Sequence, residues 1–213
     1  MEQVTLSVPA VHGDAPGVLA GPRPAPRTST SANLVIALDR GIYRIARHWL
    51  LAVNALFVTY MASLLLAPML VAWGYAGLAR PIYAFNGLFC HQRADRSFTI
   101  LGEKMACCER CAAIYGSMML AGLVFAFVRG HIRRPRLSDV LLLALPIAVD
   151  GGAQLVGLWQ STTGSRMLSG AVFGVAVCWF LLPYLESGFG RMRAQLETLF
   201  ARLVAEGRSR PLR

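Results

Sequence analysis

The sequence predicts an all-α membrane protein of four transmembrane helices, with both termini cytoplasmic and amphipathic helices flanking the bundle. Three observations predict it. The chain has 213 residues, of which 55% are hydrophobic and only 15% charged. Its charges cluster between long apolar stretches instead of alternating with them, which is the pattern of a membrane protein. Its basic residues gather in alternate connections, as the cytoplasmic preference of Lys and Arg requires.

Residues 1–31 carry five prolines, several Ser and Thr, and no apolar run behind a basic start. They read as a disordered leader, not a secretory signal. Over 33–48, Leu34, Leu38, Ile42 and Ile45 share one helical face while Arg40, Arg44 and Arg47 lie elsewhere, so this segment is expected to lie along the membrane. No charged residue occurs between Trp49 and Ala79, a stretch longer than the roughly 20 residues that cross a ~30 Å hydrocarbon core. The first span is placed at about 49–72. The second is 109–128, the third 139–159, interrupted only by Asp150, and the fourth 166–186, giving a four-helix membrane domain over 32–187. In 188–213, Met192, Leu196, Leu199, Phe200 and Leu203 recur at helical spacing among Arg193, Glu197 and Arg202. That segment reads as an amphipathic cytoplasmic tail, resting on lipid or docking on a partner.

Orientation follows from the flanks. Of the 21 basic residues, fifteen fall before the first span, between spans two and three, or in the tail; Arg80, Arg93, Arg96, Lys104, Arg110 and Arg166 fall on the opposite side. Both termini are therefore expected inside, with the connection between spans one and two facing outward. The net charge of +10 is accounted for by this topology and by contact with anionic lipid, so no nucleic-acid partner is expected.

The outward connection carries the chemistry. Cys90-His91-Gln92 is followed by Cys108-Glu109-Arg110-Cys111 at the mouth of span two. Cys108 and Cys111, at i and i+3 in a first helical turn, are close enough to share a metal or a disulfide; Cys107 and Cys111, at i and i+4, are an alternative pair. The helix N-terminus and Arg110 both favour thiolate. With Cys90 and His91 folded back over this turn, the spacing suits a Cys3His tetrahedral zinc site, Cys90, His91, Cys108 and Cys111 being the ligands. A sharp backbone turn is needed between Cys90 and His91, because adjacent side chains of an extended segment point apart. Two other readings stay open: a redox site in which a Cys108–Cys111 disulfide exchanges with Cys90, and an inert structural disulfide with His91 an ordinary surface residue. Cys178, inside span four, reads as a packed hydrophobe.

Phe89-Cys90-His91-Gln92, Arg96-Ser97-Phe98, Gly102 and Cys108-x-Arg110-Cys111-x-x-Ile114-Tyr115 are followed by Asp150-Gly151-x-x-Gln154-x-x-Gly157, Ser161-Thr162, Arg166 and Gly170-x-x-x-Gly174. In order and spacing this resembles DUF2085, a family of uncharacterised bacterial integral membrane proteins, over about residues 85–180. The resemblance implies a small helical protein of the bacterial cytoplasmic membrane bearing this cysteine and histidine motif, with no assigned activity. The chain departs from the family pattern at Ala113, Trp159, Gln160 and Thr163, and carries Cys107 as an additional thiol.

Asp150 falls near the midpoint expected for span three, with Gln154 one turn outward on the same face. An ionised carboxylate in lipid costs at least ~2.5 kcal/mol, so Asp150 must face protein or water. Arg166, opening span four, is the candidate cation for that groove, more easily through Gln154 or water than directly. Gly170 and Gly174 form a small-x-x-x-small ridge assigned to helix packing. Two functions compete: an accessory or structural subunit of a membrane assembly with a zinc-bearing cap, contacting the lipid bilayer and other membrane subunits, and a membrane thiol-disulfide oxidoreductase linked to quinone. A metal or proton conduit using Asp150 has less support, since one intramembrane acid rarely makes a path.

Overall fold

Nothing in 30–72 interrupts helical continuation, because Pro68 is the lone proline and lies in the last turn and a half. The computed structural model describes residues 30–132 and 134–212, and there α1 runs unbroken over Thr30–Ala72. It is followed by α2 (Ala76–Gly87), a 3₁₀ turn (Ala94–Arg96), a hairpin of β1 (Thr99–Ile100) and β2 (Glu103–Lys104), then α3 (Glu109–Val128), α4 (Leu137–Leu155) and α5 (Thr163–Ala205). Helices α1, α3, α4 and α5 are each long and apolar enough to cross a membrane. The leader expected over 1–31 lies outside the described residues, apart from Thr30 and Ser31, which begin α1.

The segment expected to lie along the membrane before span one is instead collinear with it. The expected tail likewise continues α5. Each of these helices has 43 residues, about 65 Å at 1.5 Å per residue, twice a ~30 Å hydrocarbon core. The two extensions run antiparallel and support each other. The Tyr43 hydroxyl donates to Glu197 Oε1 at 3.0 Å, Trp49 Nε1 donates to Glu186 Oε2 at 3.2 Å, and the Trp49 and Phe189 rings stack with centroids 5.4 Å apart. The Arg40 guanidinium lies 5.6 Å over the Phe200 ring. Leu196 and Phe200, on the apolar face of the tail, are buried, which gives that amphipathic pattern an intramolecular partner. Leu34, Leu38 and Ile45 remain exposed.

Two further differences concern the cysteine end of the bundle. Span three stops at Leu155, not 159: Gly157 takes a left-handed φ of +75°, and Trp159 and Gln160 lie in the loop to α5. Thr162 then caps α5, its hydroxyl accepting from the Ser165 N–H at 3.2 Å. Asp150 accordingly sits five residues from the end of α4, on the side of the cysteine cap.

The closest helix crossing is α3 on α5. A Cβ at Gly170 would come within 2.6 Å of the Arg110 carbonyl, and one at Gly174 would strike the Ile114 carbonyl and the Ser117 hydroxyl. Helix α4 packs on α5 and buries none of its residues, as suits a helix whose remaining surface meets lipid. Within α1, Asn54 is buried and donates to the Gly122 carbonyl at 3.1 Å, tying span one to α3.

Candidate metal centre

Four segments converge at one end of the bundle. Cys90 is set by the end of α2: its N–H donates to the Asn86 carbonyl at 3.0 Å. Asn86 is itself fully buried, its Oδ1 accepting from the Tyr60 hydroxyl at 2.6 Å and its Nδ2 donating to Ile82 O at 2.9 Å. The chain then reverses at Gln92, whose φ is +49°. The reversal is braced from both sides: Gln92 Nε2 donates to Tyr83 O at 2.6 Å, and Lys104 Nζ donates to Gln92 O at 2.8 Å.

The polar stretch after it closes as a hairpin pairing Thr99 with Lys104 and Ile100 with Glu103. Its two loop residues, Leu101 and Gly102, both have positive φ, the type I′ geometry that matches strand twist. Gly102 makes that turn cheap; Leu101 tolerates it. Met105, Ala106 and Cys107 follow as a buried strip against Leu64 and Ala67 of α1, and this delivers Cys108 to the N-cap of α3.

The Sγ atoms of Cys90, Cys108 and Cys111 all lie within 4.8 Å of one another. All five cysteines are free thiols. The Cys108 N–H, one of the unpaired donors of the helix start, donates to Cys90 Sγ at 3.2 Å. Hydrogen bonding from Cys108 and then Cys111 holds the Cys90 thiol well below its usual range. Cys107 takes no part in the trio; burial pushes its thiol up to about 12. Cys178 is buried in a separate apolar cluster with Phe125 and Leu182.

His91 does not join the three sulfurs. Cys90 turns inward at 6% exposure, while its neighbour His91 is exposed, as alternate side chains of an extended segment must be. The backbone reversal falls at Gln92, one residue too late to bring both groups to one point. His91 instead lines a cavity of about 60 Å³ together with Cys108, Arg110, Gln154 and Arg166.

Beside the sulfurs runs a polar network whose pairing differs from the expected one. The cation that meets Asp150 is Arg110, not Arg166. Arg110 Nη2 also reaches Ser161 Oγ at 3.3 Å and Gln154 Oε1 at 3.4 Å. Arg166 pairs instead with Glu109 at 3.0 Å and donates to the Ser161 hydroxyl and carbonyl at 3.3 and 2.5 Å. Thr163 donates to the other Glu109 oxygen at 3.0 Å. The guanidinium of Arg110 is therefore committed to α4, leaving the helix N-terminus as the field beside Cys108. Glu109, Ser161 and Thr163 complete this network, a place that sequence reasoning did not give them. A glutamate buried in the first turn of a span was the available signal, since burial of a charge demands a partner.

Residues 90–180, from the first cysteine to α5, match the family described as Predicted membrane protein (DUF2085). An uncharacterised protein of Methanocaldococcus jannaschii is 32% identical over 134 residues, covering 60% of this chain and 86% of the relative. A second uncharacterised protein, from Methanothermobacter thermautotrophicus, is 30% identical over 98 residues, covering 45% and 88%. No solved structure matches. Both relatives are archaeal, so the bacterial setting that the resemblance implied is not a property of every member. The chain belongs to the DUF2085 family of membrane proteins.

Proposed function

We propose that this protein is a membrane-embedded metal-binding protein in which Cys90, Cys108 and Cys111 hold one zinc-class ion, and that the ion serves as a structural clasp. The observation that carries this reading is the convergence of three free sulfurs within 4.8 Å. Thiolate sulfur is the donor that selects zinc over hard cations. The three cysteines come from the end of α2, the N-cap of α3 and its first turn, so one ion would lock the cap onto the bundle. A tetrahedral ion takes a fourth ligand. An exogenous group supplies it, since His91 faces away from the three sulfurs.

The fractions of basic residues in the flanks support a cytoplasmic membrane with both termini inside and the metal cap outside. An accessory or structural role in a membrane assembly fits a chain whose described residues contain no soluble catalytic domain. Protein purified in detergent is expected to carry about one zinc per chain, lost in Cys108→Ser and in Cys111→Ser. Metal-free protein with a Cys108–Cys111 disulfide would overturn the metal reading.

The second reading is favoured by the same sulfurs being unpaired thiols. Oxidation of the Cys108 and Cys111 thiols to a disulfide would release two electrons and two protons, which a quinone would take up as quinol, and Cys90 would exchange with that bond. An alkylation pattern that stays the same in the presence of quinone or of a partner dithiol would eliminate it.

A further inference from the structure

The cavity beside the cysteine trio has a wall of unusual charge. Arg93, Arg96, Arg110, Arg166, His91, Gln154 and Cys108 line it, and no carboxylate does. The acids that pair with these cations stand behind them: Asp95 meets Arg93 and Arg96 at 3.1 and 3.5 Å, Glu109 meets Arg166, and Asp150 meets Arg110. Each guanidinium has five donors, so one carboxylate partner leaves several N–H groups free. Among the described residues, Arg110 Nε and Gln154 Nε2 are buried side-chain atoms with no hydrogen-bond partner. Buried donors left in that state cost free energy. Two of them on residues lining one small, Arg-rich cavity call for an acceptor.

We infer that this cavity is a binding site for a phosphate-type oxyanion, presented either as free phosphate or as a lipid headgroup. Planar guanidinium forks match the oxygen geometry of phosphate, which Lys, absent from the wall, would meet only as a point charge. The cavity is small, about 60 Å³, on the scale of one compact oxyanion. It is built from the 91–96 connection, the N-cap and first turn of α3, the end of α4 and the start of α5, at the ends of three candidate spans, a position open to both sources. The inference does not depend on what the cysteines hold.

Calorimetric titration of the full chain, purified in phosphate-free detergent, with inorganic phosphate reads the free source. Native mass spectrometry of the protein released from nanodiscs of phosphatidylglycerol and phosphatidylcholine reads the headgroup source. The ion pair that Arg96 makes among the described residues is with exposed Asp95, so Arg96→Gln is expected to fold, with Arg93→Gln as the second variant and the unliganded melting midpoint as the check on folding. Losing charge-assisted hydrogen bonds to the anion should weaken binding about tenfold in Arg96→Gln. Saturable binding that falls in this variant supports the site, with phosphate alone, phosphatidylglycerol alone or both identifying the source. Absence of binding in both arms, or binding unchanged in both variants, overturns it.

Discussion

Arg110 of α3 and Asp150 of α4, forty positions apart, form the ion pair that ties α4 to the cysteine cap. Helix α4 buries no residue against the rest of the protein, so this polar contact supplies specificity that apolar packing does not. The pair is 20% and 11% exposed at its side chains, dry enough that removing one partner leaves a costly charge. Asp150→Ala is expected to lower stability by about 3 kcal/mol, whereas the double replacement Arg110→Met with Asp150→Leu recovers most of that loss. Thermal melting in detergent checks it; an Asp150→Ala protein that melts like the parent would count against the pair.

Metal removal gives the second expectation. If the trio holds an ion, chelation is expected to raise hydrogen exchange in residues 88–108 while leaving the α1–α5 extensions protected. An ion present at a hundredfold excess over its dissociation constant stabilises the fold by about 2.7 kcal/mol. Cys178→Ser should leave metal content unchanged, because Cys178 lies in the separate Trp49, Phe125 and Leu182 cluster. Equal exchange with and without chelator would show that the ion, if bound, is not a clasp.

Cys107 provides a third test. It is fully buried, and its thiol is raised from 9.0 to about 12. A raised folded-state value means that its burial costs nothing below about pH 9, where the thiol is neutral in both states, and that stability is lost as pH rises from there toward 12. Native protein is expected to resist alkylation at Cys107 at neutral pH and to react there only after denaturation. Peptide mass spectrometry after pulsed labelling reads this directly, and prompt native labelling would contradict the burial.

Two glycines of the same helix should respond with opposite sign. At Gly174 an added methyl meets the Ile114 carbonyl and Ser117 hydroxyl, while at Gly188 nothing lies within 4 Å. Gly174→Ala is therefore expected to destabilise by about 2 kcal/mol through overpacking of α3 on α5. Gly188→Ala, in an open part of α5, should stabilise by up to about 1 kcal/mol through helix propensity. Melting midpoints that shift in the same direction for both would disprove this account of the crossing.

Much of the architecture was legible in the chain itself, because its determinants are local. Apolar length predicts each span, the third despite its Asp150, and the cysteines at i and i+3 before Ala112 predict a helix start at the metal-type motif. The Gln92 reversal and the Leu101-Gly102 turn were not read, since a left-handed residue other than glycine leaves no compositional mark. Glu109 was passed over because its partners, Arg166 and Thr163, lie more than fifty positions away.

The amino-acid sequence by itself determined that this is a helical membrane protein with a cysteine cap, as hydrophobic length and residue chemistry act without reference to distant segments. Only the tertiary structure decided which groups meet. It put Cys90 with Cys108 and Cys111 while turning His91 outward, gave Asp150 to Arg110 and Arg166 to Glu109, and joined the amphipathic extensions of α1 and α5 to each other. The physical reason is that hydrogen bonds and ion pairs form over about 3 Å, and distances that short between remote residues are set by helix crossing and backbone turns.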